Sequence, residues 1–183
     1  MPTFISILRG INVGGQKKIL MTDLKLLYES LNFKNVITYI QSGNVVFRTE
    51  RKLSDQKLAH EIENAISARY GFNVPVIIRS SVELEKILTV NPFMGQNGIN
   101  TAKLHVTFLS EDPGSTELKT IGNYDYSPDQ FIIIGTEVYL HCPNGYGTSK
   151  LSNNFFESKL KVKATTRNWN TVNKITELAK GIK

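Results

Sequence analysis

The chain has 183 residues, of which 40% are hydrophobic and 21% are charged. This composition is typical of a globular protein with a core large enough to fold without disulfides or metals, and it excludes a disordered chain. The formal net charge is +6, and no apolar stretch approaches the roughly 20 residues of a membrane-spanning helix.

The first part of the chain alternates strand and helix patterns in the order β-α-β-β-α-β. Short β-branched runs predict strands, and apolar residues at three- and four-residue spacing predict helices. The predicted elements are a strand at 3–8, a helix marked by Leu20, Leu24, Leu27 and Leu31, strands at 36–41 and 45–49, a helix marked by Leu58, Ile62 and Ile66, and a strand at 74–79. This order predicts the split βαβ, or ferredoxin-like, unit.

A short helix and a polar linker follow. The helix begins at a possible Ser80–Glu83 capping box and ends at Asn91-Pro92. Later residues repeat the first order approximately: strands at 103–109, 130–134, 137–141 and 162–164, and helices at 116–121, around Leu151, Phe155 and Leu160, and around Val172, Ile175 and Leu178. We therefore predict an α+β fold of duplicated ferredoxin-like units, in two lobes with antiparallel sheets and packed helices. The lobes comprise residues 1–80 and 101–183, and residues 81–100 connect them.

This topology predicts which loops are neighbours. The first and second strands of a ferredoxin-like unit run parallel, so the loops that follow them lie at one end of the sheet. We expect residues 9–18, the hairpin at 41–44 and the turn at 70–73 to meet there.

The glycine-rich loop after the first strand is the best candidate for a ligand site. Gly10, Gly14 and Gly15 allow backbone N–H groups to converge on an anion, and Lys17 and Lys18 add positive charge. The glycine spacing is not that of a dinucleotide fingerprint. It is not a Walker A loop either, since Gln16 stands where that motif has lysine. The alternative is a connection whose glycines serve only positive φ angles.

Three further segments carry polar chemistry, each with a structural alternative. The hairpin Gln41-Ser42-Gly43-Asn44 has ordinary turn residues. The second glycine loop, residues 145–150, ends in Lys150 and suits a phosphate, although Ser149 or Ser152 could simply cap a helix. In residues 165–171, Asn168 or Asn170 could cap the last helix and Trp169 could be a core residue. Arg167 is then left as a bidentate donor for phosphate or carboxylate.

Positive charge is concentrated towards the C-terminus. From residue 150 onwards, two acidic residues stand against eight basic ones: Lys150, Lys159, Lys161, Lys163, Arg167, Lys174, Lys180 and Lys183. This segment favours acidic or phosphate-bearing partners, or it is simply a solvated lysine-rich surface. A stacking platform for RNA would need several aromatic residues on the central strands, but only Phe4 and Phe47 are present there.

No catalytic or metal-binding motif is evident. His60, His105 and His141 have no ligand spacing and are predicted to be structural or exposed. Cys142 is the single cysteine and is predicted to be a buried structural thiol. A lone cysteine, and an N-terminus without a basic region followed by a long apolar run, favour a cytosolic location without membrane association.

Four segments resemble the signatures of a bacterial family, the domain of unknown function 1697. They are Leu-Arg-Gly-Ile-Asn-Val-Gly-Gly at residues 8–15, Tyr-Ile-Gln-Ser-Gly-Asn-Val-Val-Phe at 39–47, Ala-Thr-Thr-Arg-Asn-Trp-Asn-Thr-Val at 164–172, and the loop at 145–152. Thr148 departs from the basic residue expected there. The resemblance implies a duplicated ferredoxin-like α+β fold and no established activity.

The leading hypothesis is a protein, enzyme or not, that binds a small phosphorylated or carboxylated ligand, with no cofactor identified. The predicted ligand-binding residues form two walls: Arg9, Asn12, Gly14, Gly15, Gln41, Ser42 and Asn44 on one, and Lys150, Arg167, Asn168 and Asn170 on the other. The alternatives are a nucleic-acid-binding module that uses the basic segment, and a structural or interaction protein with no ligand.

Overall fold

The chain forms two compact units, as seen in a computed structural model that describes residues 1–122 and 125–182. Unit 1 comprises Met1–Lys86 and Lys174–Lys183, and unit 2 comprises Ile87–Asn173. Each contains a four-stranded antiparallel sheet. Lys183, counted above among the basic residues, lies outside the described residues. Within the described ranges, no helix is long and apolar enough to cross a membrane.

Unit 1 has the predicted β-α-β-β-α-β order. Its elements are β1 (Thr3–Leu8), α1 (Met21–Ser30), β2 (Lys34–Tyr39), β3 (Asn44–Arg48), α2 (Asp55–Tyr70) and β4 (Val76–Ser80). The sheet order is β2-β3-β1-β4, so β1 lies in the centre between two antiparallel neighbours. The bounds of β1 are as predicted, and the predicted bounds of β2, β3 and β4 differ from the observed ones by one or two residues.

The core of unit 1 lies between this sheet and helices α1 and α2. Tyr28, Phe33 and Phe47 are at most 2% exposed, and the rings of Phe33 and Phe47 are 4.4 Å apart. The Tyr28 hydroxyl shares a 2.6 Å hydrogen bond with the Ser6 hydroxyl. Full burial of a large apolar side chain contributes about 1.5–3 kcal/mol, so this aromatic cluster is a main source of the stability of the unit.

Helix α3 (Ser81–Val90) begins at the predicted capping box. The Ser80 backbone N–H donates to Glu83 Oε2 over 2.7 Å, and the Glu83 N–H donates to Ser80 Oγ over 3.3 Å. The boundary between the two units falls inside this helix.

Unit 2 repeats the topology. Its elements are β5 (Leu104–Leu109), α4 (Ser115–Ile121), β6 (Gln130–Ile134), β7 (Glu137–His141), α5 (Asn153–Leu160) and β8 (Ala164–Asn168), preceded by a 3-10 helix at Thr101–Lys103 and interrupted by another at Tyr146–Thr148. The sheet order β6-β7-β5-β8 matches that of unit 1 position by position. Helix α6 (Trp169–Gly181) follows β8.

The prediction for the last strand was wrong in its bounds. We expected it at residues 162–164, but β8 spans Ala164–Asn168 and pairs with β5. Lys161, at φ 60°, ends α5 in the left-handed conformation, which delays the strand. The β-branched Thr165 and Thr166 were the available signal, and they favour a strand over a loop.

The duplication extends to individual residues at the end of each fourth strand. Arg79 lies opposite Ile5, and Arg167 lies opposite Val106 at the equivalent register position. Each arginine is buried and donates from Nη1 to the carbonyl of the residue before it, over 2.8 Å for Arg79 and 2.9 Å for Arg167. The next residue in each strand, Ser80 or Asn168, caps the following helix.

Candidate functional site

The glycine-rich loop of unit 1 is a miniature hairpin. Val13 and Gln16 form an antiparallel bridge, with the Gln16 N–H donating to the Val13 carbonyl over 3.0 Å. Between them, Gly14 and Gly15 have φ angles of 57° and 75°, the pattern of a type I′ turn. A Cβ at either position would meet no atom within 4 Å. The turn therefore needs these two glycines for their φ angles and not for space.

Asn12 fastens this loop to its surroundings. Its side-chain Nδ2 donates to the Ile19 carbonyl and to the Gln41 carbonyl, each over 2.9 Å, and its Oδ1 accepts from the Ile19 N–H over 2.9 Å. Both donor hydrogens of the amide are thereby used inside unit 1. Asn12 holds the loop and the β2–β3 hairpin together, which makes it a positioning residue.

The predicted meeting of three segments at one end of the sheet is confirmed. The Leu8 N–H donates to the Gly43 carbonyl of the β2–β3 hairpin over 2.8 Å. Lys17 Nζ donates to the Asn73 carbonyl in the turn after α2 over 2.7 Å. The loop, the hairpin and the turn thus form one connected surface.

A pocket of about 380 Å³ opens at this end of unit 1. It is lined by Asn12, Gly15, Lys18, Ile19, Leu20, Asp23, Gln41 and Tyr70. Of the predicted ligand-binding residues, Asn12, Gly15 and Gln41 are among them.

The other residues predicted for this wall are not among those lining the pocket. Asn44 is buried and donates from Nδ2 to the Tyr39 carbonyl and to the Ser42 hydroxyl, which stabilises the hairpin from within. Gly14 forms the turn of the loop, and Arg9 donates its backbone N–H to the Pro75 carbonyl over 2.9 Å.

The prediction did not include Tyr70, which lines the pocket from the end of α2. Its hydroxyl oxygen is buried and has no hydrogen-bond partner among residues 1–122 and 125–182. The guanidinium carbon of Arg69 lies 5.8 Å from the Tyr70 ring centroid. The positive charge of Arg69 lowers the pKa of the Tyr70 hydroxyl, although the guanidinium and the hydroxyl do not meet with hydrogen-bond geometry. Desolvation outweighs this effect and raises the pKa of Tyr70, and the charge of Asp23 raises it further.

Helix α1 begins at the pocket without a side-chain cap. Its N-cap residue is Leu20, which has no polar side chain to accept from the first-turn N–H groups. The first N–H groups of a helix have no partner within the helix, and they carry the positive end of the helix dipole. Leu20, which lines the pocket, therefore lies at the electropositive N-terminal end of α1.

Two opposite charges line the pocket, from Lys18 and Asp23. Within residues 1–122 and 125–182, neither side chain makes an ion pair or a hydrogen bond, with the other or with any third group. Lys18 is exposed and Asp23 is half-buried. The neighbouring Lys17 is bonded to Asn73, so Lys18 is the lysine of this loop that faces the pocket with its charge unpaired.

The second glycine loop lies in unit 2 and has mostly structural contacts. Ser152 caps α5 by accepting from the Phe155 N–H over 3.2 Å, as the structural alternative predicted. The Thr148 hydroxyl donates to the Asn144 and Gly145 carbonyls within the loop. Lys150 is exposed.

The Arg167 segment is also built into unit 2. Arg167 is 8% exposed and donates from Nη1 to the Thr165 hydroxyl over 3.0 Å. Desolvation lowers the pKa of its guanidinium to about 10. Asn168 accepts from the Thr171 N–H over 2.8 Å, and Trp169 is buried, as the structural alternative for both residues predicted. Asn170 is exposed.

His141 and Cys142 are buried and His60 is exposed. His105 stacks on Tyr146 at 4.9 Å, and burial lowers the pKa of its imidazole. Burial raises the pKa of the Cys142 thiol to about 11, which keeps it protonated at neutral pH. Among the described residues, no three His, Cys, Asp or Glu side chains come together in a group that could hold a metal ion.

Comparison with known proteins identifies a family and a fold. The family described as "Protein of unknown function (DUF1697)" matches residues 1–139. A solved structure of a conserved bacterial protein from Streptococcus pneumoniae is similar, with a TM-score of 0.76 and 21% sequence identity over 97% of this chain and 98% of that one. At that identity the likeness concerns the fold. No curated protein sequence matches the chain.

Proposed function

The chain belongs to the DUF1697 family of proteins of unknown function, and for this member we propose binding of a small phosphorylated or carboxylated ligand in the pocket of unit 1. The observation that carries this proposal is the juxtaposition of an unpaired lysine, an unpaired tyrosine hydroxyl and an uncapped helix N-terminus around one cavity. The lysine ammonium and the first N–H groups of the helix can each donate a hydrogen bond to an anionic oxygen.

The positive end of α1 and the Lys18 ammonium favour the same ligand charge. Anions are stabilised at helix N-termini by about 0.3–1 kcal/mol through the dipole alone, and direct hydrogen bonds from the first N–H groups add to this. A ligand oxygen in the pocket would supply the acceptor that Leu20 lacks. Charge-assisted bonds from Lys18 would then fix its position.

The Tyr70 hydroxyl supports the same conclusion on energetic grounds. A buried polar group without a partner costs about 1–3 kcal/mol of stability. Such groups are uncommon in folded proteins, and a bound ion or small molecule is one way to complete their hydrogen bonding; Asn91 Nδ2 and Tyr126 Oη are two others among the described residues. The apolar surfaces of Ile19 and Leu20 and the Tyr70 ring line the rest of the pocket. Its volume lies within the range of about 300–1,000 Å³ that is usual for small-molecule sites.

The second wall predicted from the sequence stays a prediction. Lys150, Arg167, Asn168 and Asn170 belong to unit 2, where Arg167 and Asn168 already have partners within the unit. Lys150→Ala tests this wall in the ligand titration. Loss of affinity would favour a role of Lys150 in binding, and unchanged affinity would argue against one.

A thermal-shift screen of nucleotides, sugar phosphates and small carboxylates tests the proposal, with wild type and Tyr70→Phe measured side by side. We expect at least one compound to raise the melting temperature of wild type and to do so less in Tyr70→Phe. If no compound stabilises the wild type, the proposal fails and a structural or interaction role is favoured.

The nucleic-acid alternative has less support from the basic segment. Arg167 is buried, and Lys174 and Lys180 contact Glu177 and Glu85. A mobility shift at low salt, steeply weakened by added salt, would restore this alternative. A cytosolic location remains part of the proposal, since the single cysteine, Cys142, has no second cysteine with which to form an internal disulfide.

A further inference from the structure

The charges of the pocket restrict the class of ligand beyond its anionic group. We infer that the ligand is dipolar: it carries an ammonium group for Asp23, as well as an anionic group for Lys18 and the N-terminus of α1. This inference rests on the proposed function, and it concerns the same pocket.

Asp23 is the observation behind it. A purely anionic ligand would bring a second negative charge next to the Asp23 carboxylate, which lines the pocket and is half-buried. Tyr70, whose pKa the charge of Asp23 raises, lines the same pocket. Like charges in a partly desolvated site repel strongly, so an anionic ligand without a positively charged group for the Asp23 carboxylate would lose affinity.

The separation of the two charges within the chain indicates the layout of the ligand. Lys18 lies in the loop, Asp23 lies in the first turn of α1, and the pocket residues between them, Ile19 and Leu20, are apolar. Since Lys18 and Asp23 are not paired with each other, each is available to an opposite charge on the ligand. The complementary molecule is a small zwitterion whose apolar part lies against Ile19, Leu20 and the Tyr70 ring. Both aminocarboxylates and aminophosphates have this chemistry.

Isothermal titration with two matched pairs of compounds distinguishes these sources. The pairs are L-phenylalanine with N-acetyl-L-phenylalanine, and O-phosphoethanolamine with ethyl phosphate, and phenyl phosphate serves as a reference anion. Within each pair, only the first member has a free ammonium group. We expect the ammonium-bearing member of at least one pair to bind at least about tenfold more tightly, the discrimination typical of one well-made charged contact.

Two variants connect that preference with Asp23. Asp23→Asn should reduce the preference to about twofold or less, because the amide keeps the size of the side chain and loses its charge. Glu29→Gln makes the same change on an exposed acidic residue of α1 outside the pocket and should leave the preference intact. Thermal unfolding of each variant checks that it folds.

The failure of this inference differs from the failure of the proposed function. If phenyl phosphate or ethyl phosphate binds wild type and no ammonium-bearing member binds more tightly than its partner, the ligand is a simple anion and the inference is overturned. A preference for the ammonium that Asp23→Asn leaves unchanged also overturns it. If none of the five compounds binds, the pocket has no affinity for small anions and the proposed function is overturned as well.

Discussion

The two units have the same topology but differ in the loop after the first strand. In unit 1 this loop covers residues 9–20, forms the miniature hairpin and lines part of the pocket. In unit 2 the corresponding loop covers only residues 110–114 and leads directly into α4. The fourth strands, by contrast, correspond residue by residue through Arg79 and Arg167. The framework is thus duplicated, and the ligand chemistry that we propose is an elaboration of one copy.

The hairpin glycines offer the largest contrast between the units. A Cβ on Gly43, at φ 79°, would lie 2.7 Å from Ile11 Cδ1 and 2.8 Å from Leu8 Cβ. On Gly135, at φ 60°, the nearest atom would be Asp112 Oδ1 at 3.8 Å. We expect Gly43→Ala to cost about 3 kcal/mol, since left-handed strain and overpacking add, and Gly135→Ala to cost about 1 kcal/mol from strain alone.

Urea denaturation of both alanine variants measures this difference. Equal losses would mean that the β2–β3 hairpin is not packed against the glycine loop as described, and the pocket would lose its structural support.

The two buried arginines test whether equivalent positions in the two units contribute equally to the free energy of unfolding. Arg79→Ala and Arg167→Ala each remove a buried aliphatic stem and a hydrogen bond to a backbone carbonyl. We expect each to cost about 2 kcal/mol, from lost packing and lost hydrogen bonding. The same denaturation experiment compares them. A loss at one site more than about twice that at the other would show that register equivalence does not imply energetic equivalence.

Substitution of Tyr28 and of Tyr70 in unit 1 distinguishes a hydroxyl that stabilises the fold from one to which we assign a role in ligand binding. Tyr28→Phe removes the 2.6 Å bond to the buried Ser6 hydroxyl and should cost about 1–2 kcal/mol. Tyr70→Phe removes a buried hydroxyl without a partner in the described residues, so it should raise the free energy of unfolding of the unliganded protein, by up to about 1–3 kcal/mol. Thermal unfolding without ligand gives both values. A large loss for Tyr70→Phe would assign its hydroxyl a structural role.

The smallest effect at neutral pH concerns Cys142. Its thiol has a pKa of about 11 in the folded chain against 9.0 for an ordinary cysteine. Keeping the Cys142 thiol protonated in the folded state therefore has no cost below pH 9. As the pH rises from 9 towards 11, the free energy of unfolding declines, because the thiol of the unfolded chain loses its proton first. Native alkylation by iodoacetamide at pH 8 should be slow and should become fast in denaturant. Rapid native alkylation would contradict the buried position.

The sequence predicted the duplicated topology well because strand and helix periodicities are local signals, as in β6 and β7, whose bounds were predicted without error. The meeting of the glycine loop with the β2–β3 hairpin also followed from connectivity. The role of Asn12 could not be predicted, since its partners depend on the path of the loop to Ile19 and Gln41. Tyr70 could have been proposed, because the turn at 70–73 that was predicted at this end of the sheet begins with it. Its unpaired hydroxyl is visible only from tertiary packing.

The most direct test of the central claim is a residue-resolved NMR titration with whichever of the five compounds named above binds wild type most tightly, using amide chemical shifts of wild type, Lys18→Ala and Lys25→Ala. Lys25 lies on α1 outside the pocket, so its variant makes the same change in charge elsewhere on the surface. We predict saturable shifts confined to the residues around the pocket, affinity at least about tenfold weaker in Lys18→Ala, and affinity within about twofold of wild type in Lys25→Ala. Absence of saturable shifts at the pocket, or equal affinity in all three proteins, would contradict the claim.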